Sequence, residues 1–88
     1  MKVSNDFLLR EIAGEYMIVP VGAAASNFVG LISMNEVAKV IFEALSVERT
    51  AEELVDLILK EYDVDRETAH QDILEFLQKL RDIGALIE

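Results

Sequence analysis

The chain has 88 residues, no cysteine and a formal net charge of −9. The absence of cysteine excludes a disulfide scaffold and thiolate chemistry and fits a cytoplasmic protein, while the acidic balance disfavours nucleic acid and anionic membranes as partners. The hydrophobic fraction of 52% is enough for one small packed core, so we expect a single domain over residues 1–88.

The first part of the chain has the composition of β-strands. Residues 7–12 and 15–21 are rich in apolar residues, and Ala13-Gly14 between them is a turn signal. The second strand is expected to end near Pro20, which has no backbone donor. Residues 1–6 precede these strands and are expected to be frayed.

A third strand is predicted over residues 28–33, which would complete an antiparallel meander. No residue from 16 to 35 is charged, and that length is close to a membrane span. Pro20, Gly22 and Gly30 would break a helix there, so two strands and a loop are favoured over a membrane segment. An uncharged strand is prone to aggregation unless something covers its edge.

Two helices are predicted after these strands. The first is expected over residues 35–45, with Ser33 and Glu36 at the spacing of a capping box. The second begins with the same spacing at Thr50 and Glu53. The first helix has a wide apolar arc, which indicates burial on several sides, and the second has its apolar residues on one side.

The third helix has the clearest pattern in the chain. Asp65 is a favourable N-cap and Gly84 is a favourable stop, and residues 86–87 are expected either to form a short strand or to pack down. The order of strands and then helices predicts an α+β domain, with a three-stranded antiparallel sheet followed by three helices in a winged-helix-like arrangement. The core stripe of the third helix comprises Ala69, Ile73, Phe76, Leu80 and Ile83.

The sequence offers little for catalysis. Its one histidine, His70, has no recognisable catalytic partner, and a chain without cysteine cannot build a His/Cys metal cluster. The carboxylates are spaced as on solvated helix faces. We therefore expect no enzymatic activity and no cofactor.

A second line of residues runs along the third helix beside the core stripe. At about 100° per residue, His70, Leu74, Leu77 and Arg81 share this line, which is partly apolar and partly basic. One interpretation is that Leu74 is a covered or isolated apolar residue. The other is that the line forms one wall of a groove whose other wall is the third strand, so that an extended peptide adds to the strand edge.

The order and spacing of several segments resemble the PqqD-like proteins, which are also described as recognition elements for ribosomally synthesised, post-translationally modified peptides. The resemblance covers nearly the whole chain and departs from the family pattern at Met34, where leucine is usual. The segments that carry it are Met34-Asn35-Glu36 with Phe42 and Leu45, Thr50-Ala51-Glu52-Glu53-Leu54-Val55, and Glu61-Tyr62-Asp63-Val64-Asp65 with Asp72, Phe76-Leu77, Leu80 and Gly84.

The resemblance implies a non-enzymatic domain that binds the leader peptide of a precursor and presents it to a modifying enzyme, often a radical S-adenosylmethionine (SAM) enzyme. The peptide would pair with the third strand and lie against the third helix. By this resemblance, the strand wall comprises Phe28, Val29, Leu31 and Ile32, and the helix wall comprises His70, Ile73, Leu74, Leu77 and Arg81.

Two other functions stay open from the sequence. The edge of the third strand could pair with a second copy in a structural interaction or dimerisation module. A winged-helix arrangement could instead bind DNA, although Glu67, Asp72 and Glu75 on the third helix would then face phosphate.

Overall fold

A computed structural model describes residues 1–22, 25 and 32–88, and it describes Ile32 by its backbone alone. It confirms the α+β class, with a three-stranded antiparallel sheet followed by three helices. The elements in chain order are β1 (Lys2–Val3), β2 (Phe7–Ile12), β3 (Glu15–Pro20), β4 (Ile32–Met34), α1 (Glu36–Ala44), α2 (Ala51–Glu61), α3 (Arg66–Asp82) and β5 (Leu86–Ile87).

The main sheet is the predicted meander, with the order β2-β3-β4 and antiparallel pairing throughout. Ala13 and Gly14 form the two-residue turn between β2 and β3, and both have positive φ (52° and 82°) as a type I′ hairpin turn requires. β3 ends at Pro20, the position near which the sequence predicts its end.

The predicted third strand falls partly within the described residues. Its last two positions belong to β4, which continues to Met34 and pairs with β3 through Met17 and Ser33. Phe28, Val29 and Leu31 lie outside the described residues.

The two ends of the chain form a second sheet, in which β1 pairs antiparallel with β5. The expectation that residues 1–6 are frayed is therefore wrong. The N–H of Val3 also donates to the carbonyl of Leu45 at 2.9 Å, and the N–H of Ser4 donates to the carbonyl of Ala85 at 2.8 Å. Of the two alternatives for residues 86–87, a short strand or simple packing, the structure has the strand, β5.

The start of α1 differs from the prediction. The N-cap is Asn35, whose side chain accepts a hydrogen bond from the N–H of Ala38 at 2.8 Å. The capping box predicted for Ser33 and Glu36 is wrong, because Ser33 is still paired with β3 and cannot take the N-cap position.

The capping signals of the other two helices are confirmed. Thr50 and Glu53 form a reciprocal capping box with bonds of 2.9 and 3.2 Å. The Asp65 carboxylate caps α3 by accepting from the N–H of Thr68 at 2.7 Å, and Gly84 follows the helix with φ of 75°.

One core joins the main sheet to all three helices. The predicted stripe of α3 is buried except for Ile83, which is half-buried. Fully burying a large aliphatic side chain contributes about 1.5–3 kcal/mol, so this stripe fixes α3 against the rest of the fold. Within the described residues, no helix has the length and apolar character needed to cross a bilayer. The buried residues are Phe7, Ile18, Met34, Ile41, Phe42, Leu45, Leu54, Val55, Ile58, Ala69, Ile73, Phe76, Leu77, Leu80 and Ala85.

Candidate peptide-binding groove

The candidate site begins with the free edge of β4. In the described sheet, β4 is hydrogen-bonded to β3 alone, and its other side faces away from the sheet. Backbone groups that point outward from such an edge are available to pair with another extended chain.

The pairing of β3 shows which backbone groups of β4 point outward. The N–H of Val21 donates to the carbonyl of Asp6 at 2.8 Å, directly beyond the end of the β2–β3 ladder. Since hydrogen-bonded pairs alternate along antiparallel strands, the odd-numbered residues of β3 bond toward β2 and the even-numbered ones toward β4. Ile32 and Met34, which oppose even-numbered residues, therefore bond to β3. The N–H and C=O of Ser33 point away from the sheet.

A groove of about 280 Å³ separates β4 and the start of α1 from α3. Its floor is apolar, because Met34, Ile41 and Phe76 are buried side chains that line it. The full lining comprises Ser33, Met34, Asn35, Val37, Ala38 and Ile41 on one side and Asp72, Glu75, Phe76 and Lys79 of α3 on the other.

The α3 side of this groove, which we call the groove flank, comprises Asp72, Glu75, Phe76 and Lys79. Phe76 belongs to the core, and the three charged residues are exposed. None of the three charged side chains forms an ion pair with another described residue. The groove therefore has an apolar floor and an exposed charged rim.

Lys39 holds α1 against the sheet next to the groove. Its ammonium lies 4.8 Å from the centre of the Tyr16 ring, and Tyr16 pairs with Met34 of β4. The Glu43 carboxylate 3.8 Å away raises the pKa of Lys39, and Tyr16 raises it further. Lys39 is thus held positively charged at this position.

The residues predicted for the strand wall are only partly described. Ile32 lies in β4, as predicted, and only its backbone is described. The other three residues predicted for this wall, Phe28, Val29 and Leu31, lie outside the described residues, so their role in binding stays a prediction.

The residues predicted for the helix wall divide into two groups. Ile73 and Leu77 are 0% and 1% exposed and belong to the core. His70, Leu74 and Arg81 lie together on the other side of α3, which we call the far flank. The side chains of the far flank are separated from the charged residues of the groove flank by about 100° or more around the helix axis.

None of the five predicted helix-wall residues lines the groove beside β4. Leu74 is 44% exposed, and the Arg81 guanidinium is held by the Glu88 carboxylate at 2.9 Å. The far flank therefore does not line the groove at the described part of β4, and the part of these residues in binding stays a prediction.

No residue of the groove flank was predicted to bind the peptide. Phe76 was predicted to lie in the core, where it is, and Asp72 and Glu75 were expected to oppose DNA binding. The core stripe of a helix has two flanks, and periodicity alone does not say which of them faces the strand. That choice depends on how α3 packs in three dimensions.

The groove suits the binding of an extended chain. The outward N–H and C=O of Ser33 can pair with a peptide backbone, and the apolar floor can bury alternate side chains. Among the described residues, no group of three or more His, Asp or Glu side chains is placed to hold a metal ion.

The comparison with known families fits this geometry. The family model for coenzyme PQQ synthesis protein D (PqqD) matches residues 8–86. The chain belongs to the PqqD family. No curated protein matches the chain significantly.

Two solved structures share the fold of this PqqD-family chain. TbiB1, solved in complex with the TbiA(beta) leader peptide, has a TM-score of 0.77 and 28% sequence identity, with 98% of this chain and 94% of that chain covered. A lasso peptide synthetase B1, complexed with its leader peptide, has a TM-score of 0.75 and 16% identity, with 99% and 96% covered. At 16% identity, the second supports the fold alone.

Proposed function

We propose that this PqqD-family chain binds the leader segment of a ribosomally made precursor peptide by strand addition at β4, and that it catalyses no reaction itself. The observation that carries the proposal is the free edge of β4 next to a groove with an apolar floor. The leader peptide bound by TbiB1, which is 28% identical to this chain, supports the choice of ligand.

In the proposed complex, the leader is extended and pairs with the outward N–H and C=O of Ser33. Every second side chain of the leader then points toward the groove, where Met34, Ile41 and Phe76 form the floor. Each backbone hydrogen bond contributes about 0.5–1.5 kcal/mol and each well-buried apolar side chain about 1.5–3 kcal/mol. These gains offset the cost of ordering a flexible peptide.

A bound leader would hold the rest of the precursor close to a second protein that modifies it. We propose that this partner is a modifying enzyme, such as a radical SAM enzyme, and that both meet the precursor in the cytoplasm. The support for this partner is the family resemblance. Binding leader and enzyme together raises the local concentration of the precursor at the enzyme, without chemistry by this chain.

The proposal is tested by titrating a candidate leader peptide, beginning with the TbiA(beta) leader that TbiB1 binds, into isotope-labelled protein. We expect saturable changes in the backbone amide signals of Ser33, Met34 and Asn35 and of residues 72–79. Changes confined to surfaces away from both β4 and α3, or no binding, would reject strand addition at this groove.

The free edge of β4 also suits a second candidate function, pairing with another copy of the chain. Two such edges meeting would join the sheets of a homodimer and would cover the outward groups of Ser33. Sedimentation equilibrium of the leader-free protein separates the candidates. Leader binding predicts a monomer that takes up one peptide, whereas a tight dimer that excludes the peptide would favour the dimerisation module.

A further inference from the structure

We propose that the leader segment in this groove carries a basic side chain opposite Asp72 and Glu75, and an acidic side chain about two residues away opposite Lys79. This inference rests on the proposed function and adds the chemical character of the peptide. The observation behind it is the set of unpaired charges on the groove flank.

The charges on the groove flank are unpaired although their spacing permits pairing. Glu75 precedes Lys79 by four residues, which is the favourable order for an ion pair on a helix, yet the two do not come within ion-pair distance. Lys39 and Glu43 have the same separation in the less favourable order and are paired at 3.8 Å. The carboxylate and ammonium groups of the groove flank are therefore left available to a ligand.

The other two basic residues of α3 are in ion pairs, unlike Lys79. Arg66 is paired with the Asp56 and Glu52 carboxylates, and Arg81 is paired with Glu88. Of the three Lys and Arg residues of α3, Lys79 alone has no acidic partner among the described residues. Lys79 also lines the groove.

The spacing of these charges matches that of an extended peptide. Along the helix axis, Glu75 and Lys79 are separated by about 6 Å, at 1.5 Å per residue. Side chains on one face of an extended strand repeat about every 6.6–6.8 Å. A peptide lying along the groove therefore presents successive groove-facing side chains at nearly the separation of Glu75 and Lys79.

The net charge of the whole protein favours the basic side chain proposed for the bound peptide. Its net charge of −9 attracts cationic segments and repels acidic ones over distances of about one Debye length. This attraction favours a Lys or Arg in the bound segment.

The inference is tested by selecting short random peptides displayed on phage against immobilised full-length protein. Selections use the wild type, the neutralised variant Asp72→Asn/Glu75→Gln and the reversed variant Glu75→Lys. A matched control, Glu61→Gln/Asp63→Asn, removes two exposed carboxylates that do not line the groove. The control separates a local contact from the effect of net charge, and thermal unfolding confirms that each variant is folded.

We expect the wild type and the control to enrich peptides that contain Lys or Arg with Asp or Glu two residues away. The neutralised variant should lose the preference for Lys or Arg, and Glu75→Lys should shift it toward Asp or Glu. For the best wild-type peptide, neutralisation should raise Kd about fivefold, as two exposed ion pairs allow. The control should leave this Kd within about twofold.

Two negative results are distinguishable. Peptides that bind wild type and neutralised variant with the same composition and affinity, and that compete for the groove, would overturn the charge pattern while leaving the proposed function standing. If the wild type selects no peptide and binds none of the candidate leader peptides, the proposed function itself fails, and this inference fails with it.

Discussion

The two flanks of α3 lie on either side of the same core stripe but have different surroundings in the structure. The groove flank lies across a groove from the free edge of β4, and its Phe76 forms part of the groove floor. The far flank has the more exposed apolar residue, Leu74, but it does not line that groove. The difference teaches that an exposed apolar side chain is a weaker sign of a peptide site than an open strand edge beside an apolar floor.

The largest expected difference between the flanks is in stability. Phe76→Ala should lower the free energy of unfolding by about 3–5 kcal/mol, because it leaves a cavity in the core. Leu74→Ala should lower it by about 1 kcal/mol or less, because Leu74 is already 44% exposed. Urea unfolding followed by circular dichroism measures both values. Equal losses would show that Leu74 is as well packed as Phe76.

The next effect concerns the outward backbone of β4. Ser33→Pro removes the outward N–H and adds a ring at the edge, so we expect leader binding to weaken about tenfold or more. Ser33→Ala keeps the N–H and is the matched control, with binding expected to change less than twofold. Calorimetric titration with the leader measures both. Tight binding by a folded Ser33→Pro variant would contradict pairing through Ser33.

A pair of charge insertions compares the two sides of α3 directly. Val37 lines the groove from the first turn of α1, where an aspartate suits the positive helix end, so Val37→Asp should weaken leader binding about tenfold without unfolding the protein. Leu74→Asp on the far flank should leave binding within about twofold. The sequence-based prediction that Leu74 belongs to the helix wall requires instead that Leu74→Asp weakens leader binding. Fluorescence anisotropy with labelled leader decides between them.

The smallest expected effect is on how the free energy of unfolding depends on pH through the N-cap of α3, the helix that carries both flanks. The hydrogen bonds from Thr68 hold the pKa of Asp65 below its ordinary value of 3.8. The pKa of Asp65 is therefore lower in the folded protein than in the unfolded chain. Its charge contributes fully to stability above the pKa of the unfolded chain, and this contribution is lost as the pH falls through the pKa of the folded protein. Asp65→Asn retains a capping oxygen and does not titrate.

We therefore expect the stability difference between wild type and Asp65→Asn to shrink in acid. The measurement is urea unfolding of both proteins between neutral pH and a pH below 3.8, with the difference taken at each pH. A difference that stays constant through this range would show that the Asp65 cap does not depend on its charge.

Local patterns predicted much of this fold. The capping box at Thr50, the Asp65 cap and the Gly84 stop each depend on a few neighbouring residues, and all three are present. The core stripe of α3 was predictable for the same reason, since burial follows the helical period. The start of α1 was misplaced because Ser33 is a good cap by type but is committed to pairing with Met17.

Long-range contacts were not predictable from such patterns. The pairing of β1 with β5 joins Val3 to Leu86, and strands of two residues are too short to give a periodic signal. The choice between the two flanks of α3 has the same origin, because it depends on where the sheet packs. A family resemblance indicated a strand-and-helix groove, but the residues that line it came from the three-dimensional arrangement.

The most direct test of strand addition is hydrogen exchange at single amides of β4, measured by NMR with and without saturating leader peptide. Ile32 and Met34 already bond to β3, so their exchange should change little. The amide of Ser33 points outward, and we expect the peptide to slow its exchange by about tenfold or more. An unchanged exchange rate for Ser33 in the saturated complex would contradict the account.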